Sequence, residues 1–390
     1  MQFEPTDEEL TFQEKARQVA ADVLLPVARA ADAERRFDRD VVEALGRAGL
    51  LGGPIDEAYG GEGLGHRAQV LAHEELGAVD TSVRGFVAVQ TGLVASCIQD
   101  WGTEEQKAEY LPPICRAEII GCYGLTEPGA GSDVAGMATR AVRDGNDWIL
   151  DGEKVWITNG NVADLCLVFA KTNPAAGSRG LTCFLVPTTS PGFRAEPMTD
   201  PELGHRGADH ARLHFEGLRI PDTARLGPEG SGFKVAMTAL DHGRLGVAAG
   251  AVGLHRGCFE ASLDFARRRR QFGRRIGDFQ MVQATLADMH AALEASRLLT
   301  WQAATLKDEG KPCTLAVSRA KLFATENASK AAHDAVLLHG GRGYNNAYPV
   351  ERLYRDALGL EIYEGTSNIQ RIIIARHLLG RDEGEELTDV

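Results

Sequence analysis

The pattern of this chain changes twice along its length, and those two changes constrain its fold more than any single residue does. Up to about residue 120, apolar residues recur at helical spacing: Leu10, Phe12, Ala16, Val19, Ala20 and Val23, then Val41, Val42, Leu45 and Leu50. Thr6-Asp7-Glu8-Glu9 and Thr103-Glu104-Glu105-Gln106 predict capped helix starts, with acids favoured at the positive end of the helix dipole. Pro26 predicts a break, and Pro112-Pro113 predicts the close of the later helix. Tyr59 to Gly65 is a loop by its glycines, while Ala68 to Gly77 and Val83 to Trp101 return to apolar helix. The texture then becomes β-rich. Trp148 to Leu150, Asp151-Gly152 and Lys154 to Thr158 predict strand, turn, strand, and Leu165 to Ala170, Leu181 to Val186 and Leu213 to Ile220 predict further strands. After Gly232 the helical spacing resumes over Phe233 to Ala266, Gln280 to Leu306, Thr314 to Leu338 and Ile369 to Leu379, supported by many alanines. This order is not the βαβ alternation of a Rossmann or TIM fold. It predicts an α+β protein with a helical domain over 1–120, a β domain over 121–232 and a helical domain over 233–390. The polar tail Arg381 to Val390 is expected to fray.

Composition narrows the function. The 390 residues carry a net charge of −13, which disfavours a nucleic-acid coat. Seven cysteines, an odd number without a C-x-x-C pair, predict reduced thiols in a cytoplasmic chain rather than a disulfide framework or zinc knuckle. The N-terminus lacks the basic and apolar regions of a signal peptide, and the apolar run Phe86 to Ile98 is too short to span a bilayer. There is no G-x-G-x-x-G, P-loop, H-E-x-x-H or G-x-S-x-G. His210 and His214 stand four apart, but Ala211 to Phe215 reads as a strand, which puts them far apart on one face. They read as surface histidines, and no metal is expected.

Four segments have compositions that periodicity does not explain. Tyr123-Gly124-Leu125-Thr126-Glu127-Pro128-Gly129-Ala130-Gly131-Ser132-Asp133 is either a turn-rich loop or a backbone nest for an anion. Trp156-Ile157-Thr158-Asn159-Gly160 ends a strand; its Trp is either core or a face for a flat cofactor. Arg267 to Arg275 holds six arginines in nine residues: a solvated helix end, a nucleic-acid patch or a diphosphate clamp. In Tyr363-Glu364-Gly365-Thr366-Ser367-Asn368-Ile369-Gln370-Arg371, Glu364 precedes a helix as either a capping acid or a catalytic base.

Taken together with the His339-Gly340-Gly341-Arg342-Gly343-Tyr344 turn, these segments lie in the order found in the acyl-CoA dehydrogenases, and the chain resembles that family over essentially its whole length. The resemblance implies an N-terminal helical domain, a middle β domain and a C-terminal four-helix bundle, assembled as a dimer of dimers. It implies FAD as cofactor, with Tyr123, Leu125, Thr126, Trp156 and Thr158 at the flavin ring and Ser132 beside the pyrophosphate or the substrate arm. Arg269, Gln271, Phe272 and Gln280 match the segment that holds the neighbouring subunit's cofactor, Gly340, Gly341 and Gly343 form the matching turn, and Thr366 and Asn368 match further FAD contacts. One position departs: Leu337 stands where many relatives carry a Gln that reaches the cofactor across the dimer.

Glu364 matches the catalytic base, which takes the α-proton of an acyl thioester while the β-hydride leaves for the flavin. Tyr363 and Gly365 flank it on the substrate side, and Asp241 and Arg244 align near the thioester arm, although Arg244 has an equal reading as a helix anchor. The implied thioester carrier is coenzyme A or an acyl carrier protein, and the implied electron acceptor is an electron-transferring flavoprotein. Val79 to Gln90 resembles the helix of glutaryl-CoA dehydrogenases that carries an Arg for the far carboxylate, here Arg84, though an assisting Ser is replaced by Ala88. Arg84 therefore predicts a short acyl chain with a polar or anionic end; the alternatives are a surface Arg or one paired with Glu74 or Asp80. A non-catalytic, nucleic-acid-associated flavoprotein on the same scaffold is the rival reading. Glu364 and the intact flavin segments favour the enzyme.

Overall fold

The computed structural model describes residues 4–380; the tail from Arg381 lies outside them. Its first part is helical: α1 (Asp7–Val19), α2 (Leu25–Glu34), α3 (Arg39–Arg47), α4 (Gly65–Val79), α5 (Thr81–Val87), α6 (Ser96–Trp101) and α7 (Glu104–Cys115). Both expected starts are reciprocal capping boxes. Thr6 accepts from the Glu9 N–H at 3.2 Å while Glu9 accepts from the Thr6 N–H at 2.7 Å, and Thr103 and Gln106 do the same at 3.3 and 3.0 Å.

The prolines act differently from expectation. Pro26 does not break its helix, because it falls in the first turn of α2 just after a π-helical turn over Ala20–Leu24. A proline there need not supply an N–H. Pro112 and Pro113 lie inside α7, and Ala108 and Glu109, whose carbonyls they leave unserved, are exposed to water. The apolar run is also longer than expected. α5, a π-helical segment Ala88–Ala95 and α6 form one run of 21 residues from Thr81 to Trp101, long and apolar enough by itself to cross a membrane. Its most apolar stretch is 83 % buried inside the protein, so it is a central core helix.

The middle part is an eight-stranded mixed sheet of β1 (Gly121–Gly124), β2 (Arg140–Asp144), β3 (Asp147–Thr158), β4 (Leu165–Lys171), β5 (Leu181–Pro187), β6 (Phe193–Pro197), β7 (His210–Pro221) and β8 (Arg225–Leu226). The strand order is β6-β7-β3-β2-β4-β5-β8, with β1 parallel on β4. The expected strand-turn-strand around Asp151-Gly152 is a single strand. Asp151 and Gly152 form a bulge in β3 where the register against β7 shifts. Gly152 has φ +153°, and a Cβ there would lie 2.4 Å from Thr139 Oγ1, so the glycine answers to a close approach and not to a reversal of the chain. His210 and His214 both lie on β7, as read, and face Glu202 at 3.4 Å and Glu196 at 3.0 Å. Among the described residues the seven cysteines are free thiols, six of them buried.

The last part contains α8 (Gly232–Arg268), a small hairpin of β9 (Arg270–Gln271) and β10 (Arg274–Arg275), α9 (Gln280–Asp308), α10 (Thr314–His339), α11 (Val350–Ile362) and α12 (Ser367–Leu379). α11 was not anticipated, although Val350, Leu353, Ala357 and Leu360 are buried at helical spacing. α8 carries Gly243, Gly246, Gly250, Gly253 and Gly257 at alternating steps of three and four. A Cβ on Gly253 would lie 2.3 Å from the Glu74 carbonyl oxygen, and one on Gly257 would lie 2.4 Å from that of Ala78. The α4 and α8 backbones therefore touch, and the N-terminal helices are locked to the C-terminal bundle. Gly253→Ala should lower stability by about 1–3 kcal/mol through overpacking, even though alanine is the better helix former. Urea unfolding of the holoprotein measures this, and an unchanged midpoint would show that the two helices can separate freely.

Candidate active site

The site is built from the loop after β1 and the bulged end of β3, which are bonded to each other, and from the link between α11 and α12, whose Glu364 faces Tyr123 of β1. The first is fixed by a buried ion pair. Lys154, fully buried on β3, donates to Glu127 Oε1 at 2.8 Å and to the Leu125 carbonyl at 3.1 Å. Glu127 also accepts from the backbone N–H groups of Thr139, at 3.0 Å, and Ala138. The Thr126 carbonyl accepts from Val155 N–H at 2.9 Å, tying the loop to β3. Tyr123 and Leu125 are thereby held in the core, with the Tyr123 ring 4.9 Å from Phe169, while Thr126 is half-buried. The loop beyond is open: Ser132 is exposed, and a Cβ on Gly129 or Gly131 would meet nothing.

A second register shift in β3 lies between Lys154 and Ile157. It gives Trp156 a positive φ of 59° and turns its indole out, 55 % exposed, while Lys154 stays inside. Trp156 is therefore not a core residue. Thr158, at the strand end, is half-buried. Together these groups offer an aromatic face, hydroxyls and unobstructed backbone, a donor set that fits a large flat polar cofactor with an anionic tail.

The other expected cofactor residues lie elsewhere on the chain. Phe272 and Gly273 form the turn of the β9–β10 hairpin with positive φ of 51° and 78°. Phe272 is 93 % exposed and meets Phe279 edge-on at 6.1 Å. Gln271 and Gln280 are exposed and Arg269 half-buried. Gly340, with φ +61°, and Gly341 follow α10 with open space around both, and Leu337 is 65 % exposed. Thr366 caps α12 by accepting from Ile369 N–H at 3.3 Å, and Asn368 is exposed in its first turn.

Glu364 sits in the link between α11 and α12 with φ +56°, an unusual conformation for a residue with a side chain. Its carboxylate points at α8, where a Cβ on Gly243 would lie 2.0 Å from Oε2. That oxygen is sealed from solvent and has no partner. Burial pushes the Glu364 carboxyl up to about 7, against the opposing pull of Arg84, Lys321 and Arg244. Its backbone carbonyl accepts from Arg244 Nε at 3.2 Å and from Gln370 Nε2 at 3.4 Å. Arg244, 5 % exposed, also donates to Asp241 Oδ1 at 3.2 Å, and Thr314 donates to Asp241 Oδ2 at 2.7 Å. Arg244 thus anchors the Glu364 link, and both Asp241 oxygens are engaged within the chain. Gly365, with φ +89°, follows.

Arg84 is fully buried on α5. It donates to Tyr363 Oη at 2.6 Å, and its Nε and Nη1 have no partner. The anticipated alternatives do not hold. Glu74 is engaged by Arg297 at 2.7 Å, and Asp80 caps α5 and faces Arg352 at 3.6 Å. A Cβ on Gly250 would lie 2.4 Å from Arg84 Nε, so α8 makes room for the guanidinium. Nearby His73 and His205 are pushed down to about 3 and about 4, chiefly by burial, and carry no charge at neutral pH. Sequence reasoning missed Lys154, Lys321 and Gln370. The available signal was a lysine within an otherwise apolar stripe, as at Lys321 between Val317, Ala320 and Ala324.

The acyl-CoA dehydrogenase family models for the N-terminal, middle and C-terminal domains match residues 6–118, 122–218 and 230–379. The chain belongs to the acyl-CoA dehydrogenase family. It is 40 % identical over 375 residues to the short-chain specific acyl-CoA dehydrogenase of Clostridium acetobutylicum, covering 96 % of this chain and 99 % of that one. The fold superposes with a TM-score of 0.96 on a glutaryl-coenzyme A dehydrogenase in complex with glutaryl-CoA, at 36 % identity and over 99 % of this chain and 98 % of that one. It also matches a glutaryl-CoA dehydrogenase of Mycobacterium smegmatis in complex with FADH2, with a TM-score of 0.92, 33 % identity, and coverage of 98 % and 97 %.

The raised Glu364 proton affinity has a consequence for stability. Its folded value of about 7 lies above the ordinary 4.5, so wild type loses stability relative to Glu364→Gln as pH rises from near 4.5 through 7. Melting curves of both holoproteins at pH 5 and pH 8 should show the variant gaining on wild type by up to about 3 kcal/mol. A constant difference would mean that Glu364 is not desolvated.

Proposed function

We propose that this protein is an FAD-dependent dehydrogenase of short acyl-CoA thioesters, forming the trans-2-enoyl product, with Glu364 as the base. The observation that carries this reading is the Glu364 carboxylate: sealed and unpartnered at Oε2, poised near neutrality and aimed at a face of α8 cleared by Gly243. An α-proton of a thioester is far less acidic than a carboxylic acid, so removing it needs a base of raised affinity and stabilisation of the enolate oxygen. Glu364 supplies the first. Its own N–H, which has no hydrogen-bond partner among the described residues, is available to donate to the thioester carbonyl. Three side chains, Arg244, Gln370 and Lys321, hold the carbonyls of the same link and fix the direction of that N–H.

Tyr123, Leu125, Thr126, Trp156 and Thr158 would hold the flavin ring, Ser132 the pyrophosphate or substrate arm, and Gly340, Gly341, Thr366 and Asn368 the remainder of the cofactor. The bound flavin supplies a two-electron acceptor for the β-hydride. The bare Phe272 hairpin, with Arg269, Gln271 and Gln280, is best supplied with contacts by a second copy of the chain whose cofactor it would cover. An electron-transferring flavoprotein would then take the electrons. Glu364→Gln should retain flavin but lose about 10²–10⁴-fold in the rate of flavin bleaching by butyryl-CoA. Reduction within tenfold of wild type would assign the proton transfer elsewhere.

Arg84 sets the substrate's far end in this reading. A buried guanidinium with two idle donor groups, uncharged histidines around it and no carboxylate in contact among the described residues is costly unless an anion or polar group joins it. An acyl chain ending in a carboxylate or hydroxyl would do so. Arg84→Met should therefore reduce activity on glutaryl-CoA about 30-fold or more while affecting butyryl-CoA little. The comparison belongs at pH 8.5, where loss of the Arg84 charge no longer limits ionisation of Glu364. Equal loss on both substrates would make Arg84 a structural residue. Acyl groups on a carrier protein are the second substrate form to assay, since nothing in the Arg84 pocket distinguishes the two carriers.

A further inference from the structure

Among the described residues Lys321 is the one buried ammonium beside the Glu364 link, and the reaction as derived uses it only as a tether. It is fully buried on α10, between Val317, Ala320 and Ala324. It donates to the Leu360 carbonyl at 3.1 Å and to the Gly365 carbonyl at 2.8 Å. Leu360 lies in the last turn of α11, where carbonyls lack helical partners and the helix dipole is negative; Gly365 lies just beyond Glu364. The ammonium thus clips together the two sides of the link that carries the base. Among the described residues no carboxylate lies within ion-pair distance of it. A neutral donor could satisfy two carbonyls with a smaller desolvation cost, so the charge itself calls for an explanation.

We propose that Lys321 is a positioning residue for proton transfer at Glu364: it fixes the strained link from α10 and supplies a positive field that favours the ionised base. This inference rests on the reading of Glu364 as the base. The charged and titratable groups facing Glu364 are Arg84 from α5, Arg244 from α8, Lys321 from α10, and Tyr363 and Tyr123 from the link itself and β1; Lys321 additionally faces Glu361. Arg84 and Arg244 have other work, at the acyl end and on the Glu364 carbonyl. The hydrogen bonds of Lys321 go to the Leu360 and Gly365 carbonyls and to none of the residues assigned to the flavin, so its charge acts through Glu364. Burial lowers the Lys321 ammonium to about 8, still protonated at the pH where Glu364 titrates.

The test is the pH dependence of anaerobic flavin reduction by butyryl-CoA, followed by stopped flow in wild type, Lys321→Gln, Lys321→Met, Lys321→Arg and Glu364→Gln holoenzymes. Removing a nearby cation raises the affinity of a carboxylate for its proton. The rising limb of the rate should therefore move up by about one pH unit in the Gln and Met variants. At pH 6 they should be about tenfold slower than wild type, with the gap narrowing above pH 8. Lys321→Gln, which keeps a donor, should retain a higher plateau than Lys321→Met. Lys321→Arg should keep the wild-type limb. A purely structural lysine would alter stability or flavin content without moving the limb, and an unmoved limb in flavin-loaded Gln or Met variants overturns the proposal. If those two do not accumulate, the Arg variant decides, since a limb displaced by more than half a pH unit would exclude the charge as the operative feature. Glu364→Gln separates the two levels: if it still reduces flavin, the base assignment fails, whereas if it is inactive while the Lys321 variants titrate like wild type, only the role of Lys321 fails.

Discussion

The close approach of α4 and α8 is the constraint on which the rest of the structure depends. Five glycines along α8 remove the side chains that would hold the helices apart, and each does something different on its neighbour. Gly253 and Gly257 admit the α4 backbone. Gly246 admits His73, Gly250 admits the Arg84 guanidinium, and Gly243 admits the Glu364 carboxylate. One helical stripe thereby sets the distance between the N-terminal helices and the C-terminal bundle. It also opens the space in which the Glu364 carboxylate from the bundle and the Arg84 cation from the N-terminal helices confront each other. Helices ordinarily pack 8–10 Å apart with side chains interleaved; here the missing side chains are replaced by functional groups.

The charges gathered around that space are unequal in kind. Lys154 and Glu127 neutralise one another and fix a backbone loop. Arg244 is satisfied by Asp241 and a carbonyl. Among the described residues Arg84 and Lys321 have no carboxylate in contact, and Glu364 responds to both. Burial alone would push the Glu364 carboxyl well above the ordinary range; the cations pull it back toward neutrality, where a base is strong enough to act and still ionised in an appreciable fraction. The reactivity of the carboxylate is thus a balance between desolvation and field, distributed over α5, α8 and α10.

Much of this was legible in the sequence, because the information was local. The capping boxes at Thr6 and Thr103, the long helices, the strands β4, β5 and β7, and the position of Glu364 before a helix all follow from a few adjacent residues. The misreadings arose where a local sign has two physical meanings. Asp151-Gly152 looks like a hairpin turn, but the glycine answers to Thr139 crossing beneath it. Pro26 looks like a stop, but a π-helical turn carries the chain past it. The partners of Arg84, Lys154 and Lys321 come from distant elements and leave no local trace beyond a charge in an apolar stripe.

The buried helical run from Thr81 to Trp101 bears on how the chain is made. It is apolar enough to pass for a membrane span, yet α8, one of its principal coverings, ends at Arg268. Roughly 170 further residues must leave the ribosome before that cover is complete, about 8–35 seconds at 5–20 residues per second. Throughout that interval the nascent chain exposes a segment that a membrane-insertion factor or a holding chaperone would recognise. Arg84, buried in the finished protein, is in the meantime the only full charge between Thr81 and Gln99.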